Sequence, residues 1–75
     1  NIYDEIMYYS SSNGYLKIIQ WYHANGAPWP EPVYVNFYRN ICAEAALNGH
    51  LEVLKWCRAN GAPWDELTCS AAAYN

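Results

Sequence analysis

Apolar side chains recur at spacings of three and four residues in five short stretches of the chain, and this spacing predicts five short helices. Several of these stretches end at Asn-Gly, because glycine readily takes the left-handed conformation that follows the last turn of a helix. The predicted fold class is therefore all-α. The predicted helices cover residues 3–12, residues 15–24, a stretch that starts near Asn36 as N-cap and continues through Ala46, residues 50–59, and residues 65–74.

The segment between the second and third predicted helices does not follow this pattern. Pro30 and Pro32 exclude a regular helix there, because proline lacks the N–H group that a helix needs. Residues 33–35 are Val-Tyr-Val, which favours a strand but is only three residues long. We expect an extended or turn-like connection, in which a short hairpin at residues 30–36 would be the only sheet.

The chain also contains an internal repeat. Residues 13–31 align with residues 48–66 at an offset of 49 − 14 = 35 positions, with 11 identities in 19 pairs. Residues 69–75 align with residues 42–48 at an offset of 69 − 42 = 27. The two offsets agree if the unit has about 27 residues and the first connection carries eight more.

The repeat predicts how a single domain at residues 1–75 is organised. Each unit would bury the apolar face that its neighbour leaves open, so the units should stack into a solenoid of about two and a half repeats. The chain does not begin with Met, and we expect it to be a fragment of a longer array. The predicted division is a first repeat at 1–29, a connection at 30–37, a second repeat at 38–64 and a partial third repeat at 65–75.

The motif that carries a family resemblance is Ala45-Ala46-Leu47-Asn48-Gly49-His50-Leu51-Glu52-Val53-Leu54-Lys55, followed by Asn60-Gly61-Ala62. It resembles the ankyrin repeat, in which such a pattern joins two antiparallel helices. The recurring Asn-Gly-Ala-Pro-Trp is similar to variant arrays of giant viruses, algae and oomycetes. The resemblance implies a solenoid of helix-turn-helix repeats that binds other proteins and is not an enzyme.

Composition limits the partners and the compartment. The net charge is −3, and the four basic residues do not form a cluster, which argues against nucleic acid and against an anionic membrane surface as partners. An odd number of cysteines, three, is a poor basis for disulfides. We expect a cytoplasmic protein, in the cytosol or nucleus of the host if the source is viral.

Cysteine and histidine residues provide an alternative hypothesis, a small metal-binding or thiol protein. The chain has no Cys-x-x-Cys pair, and buried cysteine commonly packs as a small apolar side chain. The counterpart of His50 in the first copy is Tyr15, which favours a structural role for this histidine. We therefore predict no catalytic, cofactor or metal site. The cysteines and histidines considered for this alternative are Cys42, Cys57, Cys69, His23 and His50.

Aromatic residues provide the candidates for binding. Trp21 and Trp56 are equivalent in the repeat, as are Trp29 and Trp64, and we favour packing between repeats over a ligand-stacking role for them. Tyrosines outside the second helix of each unit are better candidates, because tyrosine is enriched at protein interfaces. The predicted partner-binding residues are Tyr34, Asn36, Tyr38, Arg39 and Glu44.

Three functions follow from these observations as hypotheses. The favoured one is a non-enzymatic protein–protein interaction scaffold with a protein partner. The second is the Cys/His metal-binding or thiol protein. The third is a terminal fragment of a longer array without separate activity, which would self-associate through an uncapped C-terminal repeat face.

Overall fold

Four helices make up most of the computed structural model, which describes residues 2–33 and 39–64. Within these residues the only β structure is one isolated antiparallel bridge between Val33 and Arg39. The all-α prediction is therefore confirmed for this part of the chain. The helices are α1 (Ile2–Asn13), α2 (Leu16–Ala24), α3 (Ile41–Leu47) and α4 (Leu51–Ala59). The fifth predicted helix, at residues 65–74, lies outside the described residues.

The start of α3 differs from the prediction. The sequence places its N-cap near Asn36, whereas the structure places it at Asn40, whose backbone is extended (φ −153°, ψ 137°). The Asn40 side chain accepts hydrogen bonds from the N–H groups of Cys42 (2.8 Å) and Ala43 (3.2 Å). The helix cannot begin earlier because the N–H and C=O groups of the preceding residue, Arg39, are both bonded to Val33, at 2.8 Å each.

The turn inside each helical hairpin has the same geometry in both copies of the repeat. Gly14 lies between α1 and α2, Gly49 lies between α3 and α4, and both have φ of 74°. In this left-handed region a side chain would be strained, which explains the glycine in both copies. The matching hydrogen bonds run from Tyr15 N–H to Ser10 O (2.8 Å) and from His50 N–H to Ala45 O (2.9 Å).

The ends of α2 and α4 match equally well. Each helix ends at an asparagine followed by a glycine of positive φ, 85° at Gly26 and 88° at Gly61. The chain then turns back so that the N–H of the next alanine reaches a carbonyl of the helix, which satisfies one of the groups left over at a helix end. These bonds run from Ala27 to Tyr22 and from Ala62 to Cys57, both at 3.0 Å.

The core lies where the two hairpins meet. α3 packs against both α1 and α4, and α1 packs against α2. Small side chains on α3 allow this close packing on two sides, since alanine leaves room for a neighbouring helix. The buried core consists of Met7, Tyr8, Ile19, Ile41, Cys42, Ala43, Ala45, Ala46, Val53, Leu54, Cys57 and Ala62.

Polar side chains also join the hairpins. Ser11 is fully buried on α1, and its hydroxyl donates to the carbonyl of Ile41 at 2.5 Å. Asn40 is buried as well and donates to the carbonyl of Pro63 at 3.2 Å. Within the described residues no buried side-chain nitrogen or oxygen lacks a hydrogen-bond partner. The described part of the interface between the hairpins therefore carries no penalty for unpaired polar side chains.

Candidate functional site

Two of the five predicted partner-binding residues, Arg39 and Glu44, come together at the end of the connection between the hairpins. The guanidinium of Arg39 bonds the carboxylate of Glu44 at 3.4 Å and that of Glu5, on α1, at 3.1 Å. It also lies over the ring of Tyr8, 4.2 Å from the ring centre, in cation–π geometry. We call these four residues the Arg39 cluster. Both charged residues predicted for binding are thus paired within the chain.

The Arg39 cluster fixes the start and the end of the connection. Tyr8 is 2% exposed, and its hydroxyl donates to the carbonyl of Glu31 at 2.8 Å. Burial raises the pKa of the Tyr8 phenol, so its proton stays available as a donor at neutral pH. The bridge between Val33 and Arg39 then closes the segment. The other three predicted binding residues, Tyr34, Asn36 and Tyr38, lie outside the described residues.

Sequence reasoning missed Glu5 and Tyr8 as members of this cluster. Tyr8 in particular belongs to the buried core, whereas the neighbouring Tyr9 is 62% exposed. Helical spacing alone could not assign Tyr8, because Ile2, Ile6 and Tyr9 also lie on one face of α1. Which of these side chains is buried depends on where the connection between the hairpins crosses α1. The contact that determines this crossing joins Tyr8 to Glu31, more than twenty positions away.

His50 lies against the turn of the neighbouring hairpin. A β-carbon placed on Gly14 would lie 2.7 Å from Nδ1 of the His50 ring, closer than atoms of this kind approach one another. At the equivalent Gly49 nothing lies within 4 Å of such a carbon. The His50 ring therefore occupies the space that the absence of a side chain at Gly14 provides, and it holds the two turns in register.

The two described cysteines lie in the core. Cys42 and Cys57 are free thiols, both 0% exposed. Burial raises the pKa of Cys42 to about 11 and that of Cys57 to about 12, because a thiolate would lose its hydration. A reactive or metal-binding cysteine needs the thiolate, which these positions disfavour. The described residues contain no group of three or more side chains able to hold a metal ion.

Three aromatic rings meet at the boundary between the hairpins. Trp29 stacks on His23, with ring centres 4.9 Å apart and an angle of 26°. Trp56 of α4 meets both rings edge-on, at 5.4 Å from His23 and 6.1 Å from Trp29. The Nε1–H group of Trp29 donates to the carbonyl of Asn60 at 3.1 Å. These contacts are the packing between repeats that the sequence predicted for Trp29 and Trp56.

Trp21 behaves differently from its counterpart Trp56. It is 60% exposed and lines an open groove of about 340 Å³ at the outer side of the first hairpin. The prediction that all four tryptophans pack between repeats is thus not met for Trp21 within the described residues. The groove is lined by Tyr3, Asp4, Trp21, Tyr22, Asn25, Gly26, Ala27 and Pro28.

Comparisons with protein-family models, with curated proteins and with solved structures gave no match to this chain. Among the helices of the described residues, none is both long and apolar enough to cross a membrane.

Proposed function

We propose that this chain is a non-enzymatic protein–protein interaction scaffold, built as a solenoid of about two and a half ankyrin-like repeats. The observation that supports it most is the recurrence of both turns of the hairpin 35 residues apart. The glycine angles agree to within 3°, since they are 74° and 74° inside the hairpins and 85° and 88° at their ends. Units of equal geometry that bury their faces against each other are the basis of repeat proteins.

The burial of the chemically reactive side chains also supports a scaffold. The two described thiols lie in the core with a raised pKa, about 11 for Cys42 and about 12 for Cys57, and His50 fills the space at Gly14. The two thiols lie in the contact between the hairpins, where a substrate could not reach them. The exposed surface, in contrast, carries large aromatic and aliphatic side chains such as Tyr9 and Ile18.

We place the binding surface on the connection between the hairpins, at Tyr34, Asn36 and Tyr38. The support is the Arg39 cluster, which ties both flanks of this segment to α1 and α3. A segment with fixed ends loses less conformational entropy on binding than a free one, so its tyrosines are well suited as contacts. Arg39 and Glu44 act in this proposal as the support of the surface rather than as its contacts.

Affinity capture with matched variants tests the proposal. The immobilised chain is compared with a Tyr34→Ala, Tyr38→Ala variant and with a Tyr9→Ala, Tyr15→Ala control. The control removes two exposed tyrosines that contact each other at 6.0 Å, away from the connection. We expect one or more proteins retained by the wild type and the control, and at least a ~10-fold weaker retention by the connection variant.

Circular dichroism of all three proteins shows whether they are folded equally. Equal retention by the connection variant and the wild type would refute the location of the surface. A wild-type chain that retains no protein more strongly than a heat-denatured sample would refute the scaffold function itself.

A further inference from the structure

One aromatic socket in this molecule is filled and an equivalent one is open. In the filled socket, on α4 and the turn that follows it, Trp29 packs edge-on against Trp56 and donates its Nε1–H to the carbonyl of Asn60 at 3.1 Å. Trp29 comes from the Asn-Gly-Ala-Pro-Trp turn at the end of the first hairpin. One repeat therefore inserts an indole into the next.

The open socket lies 35 residues earlier, on α2 and its turn. Trp21, Tyr22 and Asn25 stand where Trp56, Cys57 and Asn60 stand in the filled one, and they line the groove of about 340 Å³. The local backbone is the same, because the N–H groups of Asn25 and Asn60 both bond a tryptophan carbonyl at 3.1 Å. No described residue donates a hydrogen bond to the Asn25 carbonyl, the counterpart of the acceptor that Trp29 uses.

The chain itself carries a second indole of the required kind. Trp64 ends the second Asn-Gly-Ala-Pro-Trp turn, and the guanidinium of Arg58 lies over its ring at 3.7 Å. His23 lies over Trp29 in the same manner, at 4.9 Å. The pair Arg58 and Trp64 is thus the counterpart, at the end of the second hairpin, of the pair His23 and Trp29 at the end of the first.

We propose that the open groove binds a second copy of this chain, head to tail. Trp64 of one copy enters the groove of the next, packs edge-on against Trp21 and donates its indole N–H to the carbonyl of Asn25. The internal repeat favours this partner, because the indole that fills the equivalent socket between the hairpins comes from the first Asn-Gly-Ala-Pro-Trp turn, and Trp64 ends the second copy of that turn. The contact joins two different surfaces, the groove of one copy and Trp64 of the other. A dimer therefore keeps one unoccupied groove and one unused Trp64, and further copies can be added.

Sedimentation velocity between about 10 μM and about 1 mM, the range of weak interfaces, tests the proposal. We expect the weight-average mass of the wild type to rise with concentration. Trp21→Ala and Trp64→Ala should each remain monomeric over the whole range. Tyr9→Ala removes an aromatic residue that is 62% exposed and lies outside the groove, and it should associate like the wild type.

A mixture of the two tryptophan variants makes the test specific for a head-to-tail contact. Trp64 of the Trp21→Ala chain can still enter the intact groove of the Trp64→Ala chain, so the mixture should form heterodimers and nothing larger. An interface made from the same surface on both copies would gain nothing from mixing. A mixture that stays monomeric would therefore overturn the proposal.

Further outcomes would also overturn it. A wild type that stays monomeric up to about 1 mM would show that no second copy fills the groove, and unchanged association of Trp21→Ala would place the contact elsewhere. Trp64→Phe keeps an aromatic ring but lacks the N–H donor, and we expect it to associate ~5-fold more weakly than the wild type. Trp21→Lys replaces an exposed side chain and should abolish association while the circular dichroism spectrum stays the same.

Discussion

The two hairpins have turns of the same geometry but differ in the fraction of their residues that is buried. On α3 five of seven residues are buried, whereas on α1 four of twelve are. One pair of identical residues at equivalent positions shows the difference, since Trp56 is packed against the core and Trp21 is 60% exposed. Identical residues at equivalent helix positions thus have different environments. The neighbouring unit, and not the local sequence, determines what is buried in this molecule.

The two hairpins also begin differently. α3 starts at a buried asparagine cap, Asn40, while the equivalent position on α1 is Glu5, inside the helix and exposed. α1 therefore extends further toward the N-terminus than α3 does, relative to the repeat. The Val33–Arg39 bridge imposes this difference, because it holds the backbone before α3 in an extended conformation. The connection thus makes α3 shorter than α1.

The prediction with the largest expected effect concerns the core of the first hairpin, which is the less buried of the two. Ile19 on α2 is 0% exposed, while its neighbour Ile18 is 40% exposed. Ile19→Ala should lower the free energy of unfolding by about 2–5 kcal/mol, because it removes apolar contacts and leaves a cavity. Urea denaturation followed by circular dichroism measures this change.

Ile18→Ala is the matched control and should cost about 1 kcal/mol, since less buried surface is lost than at Ile19. If both variants lose the same stability, the first hairpin does not pack as the second does. This result would contradict the claim that the first hairpin has a buried core like that of the second.

The sequence predicted three of the four described helices well, for a local physical reason. In α1, α2 and α4 the apolar spacing lies within the helix and the Asn-Gly stop lies at its end, and the observed bounds agree with the predicted ones within one residue. The predicted start of α3 was wrong, because the observed start depends on pairing between Val33 and Arg39. The segment between these two residues has no clear sequence pattern. The pairing of Arg39 with Glu5 could not be predicted either, since 34 positions separate them.

The second prediction concerns the buried asparagine cap at the start of α3. Asn40→Ala removes the acceptor of two helical N–H groups and the donor to Pro63, all in a buried site. We expect the free energy of unfolding to fall by about 2–3 kcal/mol. Asn40→Ser keeps a capping oxygen and should lose about half as much. Denaturant unfolding of both variants gives the two values.

Asn48→Ala serves as the reference for this pair of variants. Asn48 is exposed and donates to the carbonyl of Glu44 at 2.9 Å and to the hydroxyl of Ser12 on α1 at 3.3 Å, so its loss should cost less than about 1 kcal/mol. Equal losses at Asn40 and Asn48 would show that the buried cap does not distinguish the two hairpins.

The third prediction separates backbone strain from the contact between the hairpins. Gly14→Ala and Gly49→Ala both place a side chain at φ of 74°, which costs about 1–2 kcal/mol. Only at Gly14 does the new carbon meet another residue, His50, at 2.7 Å. We expect Gly14→Ala to cost about 1–2 kcal/mol more than Gly49→Ala in urea denaturation.

A His50→Ala background completes a double-mutant cycle for this contact. In that background the excess cost of Gly14→Ala should disappear, because the ring that the new carbon meets is gone. An excess that persists without His50 would mean that the two turns differ in strain and not in their neighbours.

The smallest expected effect arises from thiols that only the second hairpin buries. Cys42 is 0% exposed, and its counterpart on the first hairpin, Met7, is 1% exposed and has no ionisable group. Burial raises the pKa of Cys42 from 9.0 to about 11. Below pH 9 the thiol is protonated in the folded and unfolded chains, so the full stability is present. Above pH 9 the unfolded chain releases its proton first, and stability falls as the pH rises toward 11.

Paired truncations isolate this contribution from the titration of the tyrosines. The destabilisation caused by Cys42→Ala should be about 1 kcal/mol smaller at pH 10 than at pH 8, since the variant lacks the group whose ionisation favours unfolding. The cost of Met7→Ala should be the same at both pH values. Urea denaturation in a reducing buffer at pH 8, 9 and 10 measures both. If the two costs change in parallel, the buried thiol is not a difference between the hairpins, and the alkaline loss of stability belongs to groups that both share.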